Sequence, residues 1–360
     1  MPLRSIGKVP MRIEHDLKLT FDDVLIRPKR STLVSRSDVT LIREFKFRHS
    51  NKTWTGVPIV AANMDTTGVF GVAKVLQNHS MLTCLQKFYS TKQCSEAWND
   101  NVDPNFVAIT CGSTENSLEL LKKKMSTSKE ISMICVDVAN GYREIFLDYI
   151  KEVRMNFPDS IVIAGNVATR EMTEALILAG ADVVKVGIGP GSVCTTRKVA
   201  GVGYPQLSAI SECADAAHGL GGHVMADGGC SSPGDVAKAF SAGADFVMLG
   251  GMLAGHDESG GELVEGKNGK MYKSFYGMSS AKAMQEYYGE IAKHRAPEGK
   301  EVRVPYRGGL EETVQAILGG VRSACSYVGA RRIKDLPKCT TFIRVTRTTN
   351  EVYQRFNVEE

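Results

Sequence analysis

Short apolar runs recur along the chain, and most of them are followed by an amphipathic stretch. The runs are continuous rather than alternating and are rich in Val and Ile, a pattern typical of parallel strands buried on both faces. Stretches such as SLELLKKKM and EIFLDYIKEVRMNF between them have apolar residues at helical spacing. We predict eight strands: Val57–Met64, Met81–Gln86, Phe106–Gly112, Met133–Ala139, Ile161–Ala168, Val183–Gly189, His223–Gly229 and Phe246–Gly251.

The alternation of strands and helices predicts an α/β fold, and eight such units fit a (β/α)8 TIM barrel of about 250 residues. The chain has 360 residues, so an N-terminal arm over 1–56, a flap over about 252–307 and a C-terminal tail lie outside the repeating pattern. An open doubly wound sheet is the alternative, but no Gly-x-Gly-x-x-Gly joins a first strand to a helix. We predict a single catalytic barrel domain spanning residues 1–360.

A tetrapeptide, Ala-Gly-Ala-Asp, occurs twice, at Ala179–Asp182 and Ala242–Asp245. Each copy lies between a predicted helix and a predicted strand. Glycine suits the left-handed residue that ends a helix, and the repetition predicts a reused αβ unit.

Composition and charge narrow the class of protein. Hydrophobic residues make up 43% and charged residues 23% of the chain, as in globular proteins. The net charge of +4 is small and the basic residues are scattered, which does not favour nucleic-acid binding. No apolar run approaches the ~20 residues of a membrane span, and the first residues lack a secretory signal. Nine cysteines without a Cys-x-x-Cys pair indicate free thiols in a reducing compartment, so we expect a cytoplasmic enzyme.

Candidate chemistry lies at the ends of the predicted strands, where barrel enzymes place their active residues. Asp137 lies near the end of the fourth run, and the loop Gly187–Arg197 begins at the end of the sixth. Asp227-Gly-Gly and Gly250-Gly251 are the last residues of the final two runs. Glycines at those two ends let backbone N–H groups approach a phosphate, whereas tight turns without a ligand are the alternative. With Asp227 available for sugar hydroxyls, we expect a nucleotide monophosphate to bind.

Cys194 is the candidate nucleophile. It stands in a polar, glycine-rich loop beside Arg197 and Lys198, and loop amides and nearby cations favour a thiolate. An unreactive loop cysteine is the alternative, and Cys230, next to Asp227-Gly-Gly, is the rival nucleophile. The same loop can offer backbone carbonyls to a monovalent cation. The seven histidines form no zinc signature.

The long segment after the last predicted strand is polar and glycine-rich. Its length and position predict a lid or flap over the site, with a disordered surface loop as the alternative. Two motifs within it, Tyr276–Ser279 and Arg295–Gly299, predict ligand contacts.

The motifs GIGPGSVCTTR, DGG, LGGMLAG, YGMSS and EGKEVRVPYRGG together resemble those of the IMP dehydrogenase and GMP reductase family, from about Leu17 to Val345. Within the family the chain is more similar to the reductases, which implies NADPH-dependent reductive deamination of GMP to IMP with release of ammonia. Family dehydrogenases usually carry CBS modules after the second strand, where only about twenty residues separate Gln86 from Phe106. Their flap also carries a water-activating Arg-Tyr pair, whereas Arg295 is followed by Ala.

Three alternatives stay open: an IMP dehydrogenase without CBS modules, a flavin-dependent barrel oxidoreductase, and a catalytically inactive nucleotide-binding regulator. The chain also departs from the family reductases at Gln86 and Phe88, where histidines are frequent. That difference falls in the expected nicotinamide pocket.

The resemblance implies a role for each matching residue. Cys194 would add to purine C2 through a covalent thioimidate, while Thr196 and Glu298 supply the proton for the departing amine. The implied substrate contacts are Asp227, Gly228, Gly229, Gly250, Gly251, Gly277, Met278, Ser279, Arg295 and Gly299. The implied NADPH contacts are Ser35, Arg36, Lys87, Asp137, Val138, Ala139, Ser323 and Ser326, some of them from a neighbouring subunit of a homotetramer. The implied potassium site consists of carbonyls of Gly189, Gly191 and Cys194, with Arg197 nearby.

Overall fold

Eight parallel strands close into a barrel, which confirms the predicted (β/α)8 fold. The computed structural model describes residues 11–114, 116–267, 269–289 and 296–346. Each barrel strand pairs with the next along the chain, and β10 pairs with β3 to close the ring. The strands are β3 (Thr53–Ala61), β4 (Met81–Cys84), β5 (Val107–Cys111), β6 (Met133–Asp137), β7 (Ile161–Val167), β8 (Val183–Val186), β9 (His223–Asp227) and β10 (Phe246–Leu249).

Helices alternate with these strands and cover the outside of the barrel. Strand residues pack outward against helical side chains and inward against one another, because a parallel strand in a closed barrel is buried on both faces. The helices are α1 (Phe70–Gln77), α2 (Thr91–Asn99), α3 (Ser117–Met125), α4 (Glu144–Asn156), α5 (Arg170–Leu178), α6 (Thr196–Val199), α7 (Gln206–Gly219), α8 (Pro233–Ser241), α9 (Ala281–Tyr288), α10 (Glu311–Val328) and α11 (Leu336–Cys339). Within the described residues, no helix is long and apolar enough to cross a bilayer.

The predicted strands agree with the observed ones at most of their starts but extend too far at their ends. The sixth run was expected to continue to Gly189, yet β8 ends at Val186. Gly189 has φ of 82°, a left-handed conformation incompatible with a strand. The residues that leave the sheet early are those that form the loops of the site.

The repeated Ala-Gly-Ala-Asp tetrapeptide performs the same structural task in both places, as predicted. Its glycine has a positive φ, 117° at Gly180 and 109° at Gly243. Its aspartate accepts a hydrogen bond from a backbone amide of the preceding barrel strand, at 3.1 Å for Asp182 and 3.0 Å for Asp245. Each copy therefore ends one helix and links the start of the next barrel strand to the preceding strand by a hydrogen bond.

The N-terminal arm closes the amino-terminal end of the barrel. Strand β2 (Arg43–Lys46) forms an antiparallel hairpin with β3. The hairpin places the ring of Phe45 4.3 Å from that of Phe246, and the Arg43 guanidinium donates to Asp245 at 2.7 Å. This end of the barrel is filled by aromatic side chains.

The two ends of the described chain meet in a small sheet of their own. Strand β1 (Val24–Ile26) pairs antiparallel with β14 (Phe342–Arg344). The basic C-terminal segment thus contributes a strand, and its continuation beyond Thr346 lies outside the described residues.

The flap is an ordered substructure over the residues described there. Strands β11 (Leu263–Glu265), β12 (Met271–Tyr276) and β13 (Glu301–Pro305) form an antiparallel sheet. Helix α9 follows β12, so the alternative of a structureless surface loop is wrong for these residues.

Candidate active site

The carboxyl ends of four strands bring the predicted polar residues to one end of the barrel. Asp137 is the last residue of β6 and Asp227 the last of β9. The loop Gly187–Arg197 follows β8, and Gly250 and Gly251 follow β10. The parallel order of the sheet places all four ends on the same rim.

Cys194 differs from most other cysteines in its exposure. All nine cysteines are free, and six of them are buried. Cys230, the rival nucleophile, is partly exposed, but burial of its thiol raises its pKa well above the usual range. Since the thiolate is the nucleophilic form, Cys230 is the weaker candidate.

A chain of side-chain hydrogen bonds starts at Cys194. Its Sγ lies 3.3 Å from the Thr196 hydroxyl oxygen. The Thr196 hydroxyl in turn donates to Oε2 of Glu298 at 2.7 Å. Two consecutive hydrogen bonds therefore link the three predicted catalytic residues. Glu298 comes from the flap, whereas the other two residues come from the segment after β8.

Backbone hydrogen bonds hold Glu298 in this position. The Thr195 amide donates to the Glu298 carbonyl at 2.8 Å, and the Lys300 amide donates to the Val193 carbonyl at 2.9 Å. A Cβ on Gly299 would lie 2.9 Å from the Ser280 amide nitrogen, so this close approach of two flap segments requires glycine. The flap and the cysteine loop form one continuous backbone assembly.

Glycines also line the rim where a phosphate was expected. Gly228 has φ of 88°, and a Cβ there would lie 3.2 Å from the Gly191 amide nitrogen. A Cβ on Gly251 would lie 3.1 Å from the Ser192 hydroxyl. The end of β9 thus lies close to the backbone of the cysteine loop, and the end of β10 lies close to the Ser192 side chain of the same loop. Glycine at these positions allows backbone N–H groups to approach an anion.

A buried lysine connects the two rim aspartates. Nζ of Lys185 lies 2.5 Å from Asp137 Oδ1 and 3.2 Å from Asp227 Oδ2. Burial opposes ionisation of Asp137, but the Lys185 ammonium holds the pKa of that carboxyl below its usual value. Lys185 is not among the predicted site residues, although it is a single charge inside the apolar run VVKV.

A cavity of about 480 Å³ opens beside the hydrogen-bonded chain of Cys194, Thr196 and Glu298. Ala139, Thr196 and Glu298 contribute to its wall, so one residue of the predicted cofactor set shares this cavity with two of the predicted catalytic residues. Its volume is within the usual range for a small-molecule site. Lining residues that sequence analysis missed are Asn140, Tyr142, Ala168, Thr169, Ile188, Ala200, Val202, Gly203 and Tyr204.

Four other predicted cofactor residues form a separate group. Ser35 caps a 3-10 helix, Arg36–Asp38, which contacts α10. Helix α10 carries Ser323 and Ser326. None of these four residues lines the cavity beside Thr196 within the described part of the chain.

Gln86 and Phe88, the two departures from the family reductases, contact each other and helix α9. The Phe88 ring stacks on the Tyr287 ring of α9, with centroids 3.5 Å apart and planes inclined by 3°. The Gln86 side-chain oxygen accepts a hydrogen bond from the Phe88 amide at 3.0 Å. Lys87 lies between them in the sequence, and its charge helps to lower the pKa of the Asp137 carboxyl.

The predicted potassium loop is packed on itself. The Gly191 carbonyl accepts the Cys194 amide at 3.1 Å. Arg197 donates to the Tyr204 carbonyl at 2.6 Å and packs against Gly189. Among the described residues, no cluster of three or more His, Cys, Asp or Glu side chains is arranged to hold a metal ion. The predicted substrate contact Arg295 lies outside the described residues.

Comparison with known proteins agrees with these observations. A family model described as the IMP dehydrogenase / GMP reductase domain matches residues 18–351. The chain is 58% identical to a GMP reductase of Caenorhabditis elegans over 350 residues, which is 96% of this chain and 97% of that protein. It is 58% identical to human GMP reductase 2 over 342 residues, 95% and 98% of the two chains. A GMP reductase of Vibrio cholerae serotype O1 is 57% identical over 347 residues, 96% and 100% of the two chains. The chain belongs to the IMP dehydrogenase / GMP reductase family.

Proposed function

We propose that this protein is a GMP reductase, which converts GMP and NADPH to IMP, ammonia and NADP⁺. The observation that carries the proposal is the hydrogen-bonded chain from Cys194 through Thr196 to Glu298. The names of relatives that match nearly the whole chain support the same activity.

The chain of hydrogen bonds provides a path for the proton that the reaction must move. The thiol proton of Cys194 passes to the Thr196 oxygen while the Thr196 hydroxyl proton passes to the Glu298 carboxylate. The resulting thiolate adds to purine C2 of GMP. Glu298, now protonated, returns the proton through Thr196 to the exocyclic amine, which is a poor leaving group until it is protonated.

Loss of ammonia leaves a thioimidate between Cys194 and C2 of the purine. That carbon is an electrophile, and NADPH held by the nicotinamide-side residues Lys87, Asp137, Val138 and Ala139 would supply the hydride that reduces it. The C2–S bond then breaks, with the bonding electrons returning to Cys194 sulfur, and IMP is formed. The reaction needs no hydrolytic water, which is consistent with the missing Arg-Tyr pair of the flap.

We propose two subsites for these ligands. For the nucleotide we propose contacts from Asp227 and from the glycines at the ends of β9 and β10, together with Gly277, Met278, Ser279 and Gly299 of the flap and with Arg295. For the nicotinamide we propose Lys87, Asp137, Val138 and Ala139. The cavity that reaches Thr196 and Glu298 is large enough for a nicotinamide ring.

We further propose a potassium ion held by carbonyls of the cysteine loop at Gly189, Gly191 and Cys194. Backbone carbonyl oxygens are common ligands of potassium ions in proteins.

We also propose a cytoplasmic homotetramer. The group of Ser35, Arg36, Ser323 and Ser326 does not line the cavity of its own chain within the described residues and would serve a neighbouring subunit. Nine free cysteines fit a reducing compartment.

The decisive test mixes the purified protein with GMP and NADPH, and separately with IMP and NAD⁺, while nicotinamide absorbance is followed. GMP-dependent loss of NADPH with release of ammonia is the expected result. Formation of NADH from IMP would identify a dehydrogenase without CBS modules, and inactivity in both mixtures would favour a nucleotide-binding regulator. A yellow protein with bound flavin would also contradict the proposal.

A further inference from the structure

Lys185 is a buried cation in the interior of the barrel, outside the proton path described above. Its side chain is 1% exposed, and Nζ contacts Asp137 on one side and Asp227 on the other. The third polar neighbour is Asn63, whose side-chain oxygen lies 3.4 Å from Nζ. Strands β6, β8 and β9 and the segment after β3 therefore meet at one ammonium group.

Both aspartates extend from this contact toward the rim. Their side chains are 25% and 22% exposed, for Asp137 and Asp227 respectively. Asn166 fixes Asp227 from a second direction, because its amide donates to Asp227 Oδ2 at 2.8 Å. Each carboxylate thus has one side bound to the barrel interior and another side available to a ligand.

The charges around Lys185 are balanced. The ionisable groups that face the cluster are Lys87, near Asp137, and the thiols of Cys84, Cys111, Cys135 and Cys230. With the thiols neutral, two ammonium groups oppose two carboxylates. Removal of Lys185 would leave one negative charge in excess between two nearby carboxylates, a situation in which one of them takes up a proton.

Desolvation of an ammonium group is costly, so an ion pair in the barrel interior is weak grounds for a role in stability alone. The cost is easier to explain if the cation fixes groups that the reaction uses. Under the proposed function, Asp227 belongs to the ribose subsite and Asp137 to the nicotinamide subsite.

We propose that Lys185 is a positioning residue that keeps Asp137 and Asp227 charged and at a fixed separation, and thereby couples the nucleotide subsite to the nicotinamide subsite. The assignment of the two subsites rests on the proposed function. The charge state of the two carboxylates does not, and this difference makes separate tests possible.

The first test needs no ligand. Infrared difference spectra of Lys185→Met at neutral pH should contain the band of a protonated carboxylic acid that the unmodified protein lacks, and Asp137→Asn or Asp227→Asn in the same background should remove it. The matched control is Lys273→Met. Lys273 is also buried, at 8% exposure, but donates to the carbonyls of His256 and Ser259. A protonated carboxyl in both lysine variants, or in neither, would overturn the proposal.

The second test uses kinetics of the intact enzyme. KM for GMP and KM for NADPH should both rise by about 10- to 100-fold in Lys185→Met, as expected for misplaced binding groups. The pH profile of kcat/KM should also gain a transition near neutrality that Lys273→Met lacks. Lys185→Arg keeps the charge and should keep the profile flat even if its rates fall. An unchanged profile in Lys185→Met would mean that the residue is only structural.

If Lys185→Met fails to fold, Lys185→Met/Asp137→Asn removes the excess charge. In this variant Asp227 stays charged and keeps its hydrogen bond from Asn166, so its affinity for GMP, measured by calorimetry, should be close to that of the unmodified protein. KM for NADPH should stay raised, because Asp137 is altered. Weak GMP binding in this folded variant would contradict the proposal. Failure of the unmodified protein to bind GMP would instead contradict the proposed function and leave the infrared result to stand alone.

Discussion

Thr196 joins two residues that the chain separates by about a hundred positions. Its hydroxyl is within 3.3 Å of Cys194 Sγ and 2.7 Å from Glu298. One rotatable O–H group can therefore serve the activation of the thiol and the later protonation of the amine. In the proposed reaction, Thr196 first passes a proton from Cys194 to Glu298 and later passes it from Glu298 to the departing amine.

The nucleophile is tested by Cys194→Ala. We expect a fall in turnover of at least about 10³-fold, because the covalent path is lost, whereas GMP should still bind through the glycines at the ends of β9 and β10. Stopped-flow absorbance and calorimetry measure the two properties. The matched control is Cys230→Ala, which should keep most activity; the reverse outcome would assign the nucleophile to Cys230.

The proposed acid is tested by Glu298→Gln, which keeps the shape of the side chain but has no acidic proton to transfer to the departing amine. Turnover should fall by about 10²- to 10⁴-fold, the usual contribution of a general acid. Glu301→Gln changes an exposed flap carboxylate that pairs with Lys282 and should leave turnover near normal. Equal effects of the two substitutions would mean that flap charge matters rather than proton transfer.

At the scale of elements, the flap depends on contacts far from the cysteine. Asp65 accepts hydrogen bonds from the Tyr276 hydroxyl at 2.6 Å and from the Tyr287 hydroxyl at 3.0 Å. Phe88 stacks on Tyr287. These contacts fasten α9 to the barrel and so determine where the segment that carries Glu298 can lie.

We therefore expect Tyr287→Leu to lower kcat by about tenfold, because a small displacement of Glu298 weakens its contact with Thr196. Hydrogen exchange of the segment around Glu298 should accelerate in the same variant. Tyr306→Leu provides the control, since the Tyr306 hydroxyl contacts only Asp257 at the other end of the flap sheet in the described residues. A lower kcat without faster exchange would contradict this role of α9.

The amino-terminal end of the barrel contains a pH-dependent pair. The hydrogen bond to Asp245 raises the pKa of His218 above its usual value. A raised pKa stabilises the folded protein fully below the unfolded pKa of about 6.5, and the contribution disappears as pH rises through the folded value. Since the His218 side chain is 47% exposed, the contribution should be below about 1 kcal/mol.

The measurement is the Tm of His218→Gln against that of the unmodified protein from pH 5.5 to 9. The difference should be largest at the acidic end and should shrink toward the alkaline end. In the Asp245→Asn background it should vanish at every pH. A difference that grows with pH would have the wrong sign for this pair.

Sequence patterns were sufficient to predict the barrel strands, which are buried along most of their length. The strands of the barrel are apolar on both faces, so their runs are continuous, and the cysteine loop stands out because it is polar. The pairing of Thr196 with Glu298 had no local signal and came from the resemblance alone. The contacts of Lys185 and of Tyr287 were not predicted, because each depends on side chains from distant segments whose positions only the closed barrel determines.

At the scale of the whole molecule, the proposed tetramer has a direct functional test. If Arg36 serves the cavity of a neighbouring subunit, an intact site needs Cys194 from one subunit and Arg36 from the other. An Arg36→Ala subunit can supply the first and a Cys194→Ala subunit the second. Mixed tetramers formed by co-expression should recover part of the activity that each variant lacks alone. Sedimentation velocity checks that the variants have the same assembly state, and absence of recovery in mixed tetramers would place Arg36 at its own subunit's site.

The pairing of β1 with β14 joins residues more than 300 positions apart. At synthesis rates of about 5–20 residues per second, roughly 15 to 60 seconds separate the translation of the two strands. During that interval β1 has no partner on the growing chain, and an unpaired strand edge is a template for pairing with other molecules. Its length of only three residues limits this hazard, because the nascent chain exposes only a short unpaired edge until β14 has been synthesised.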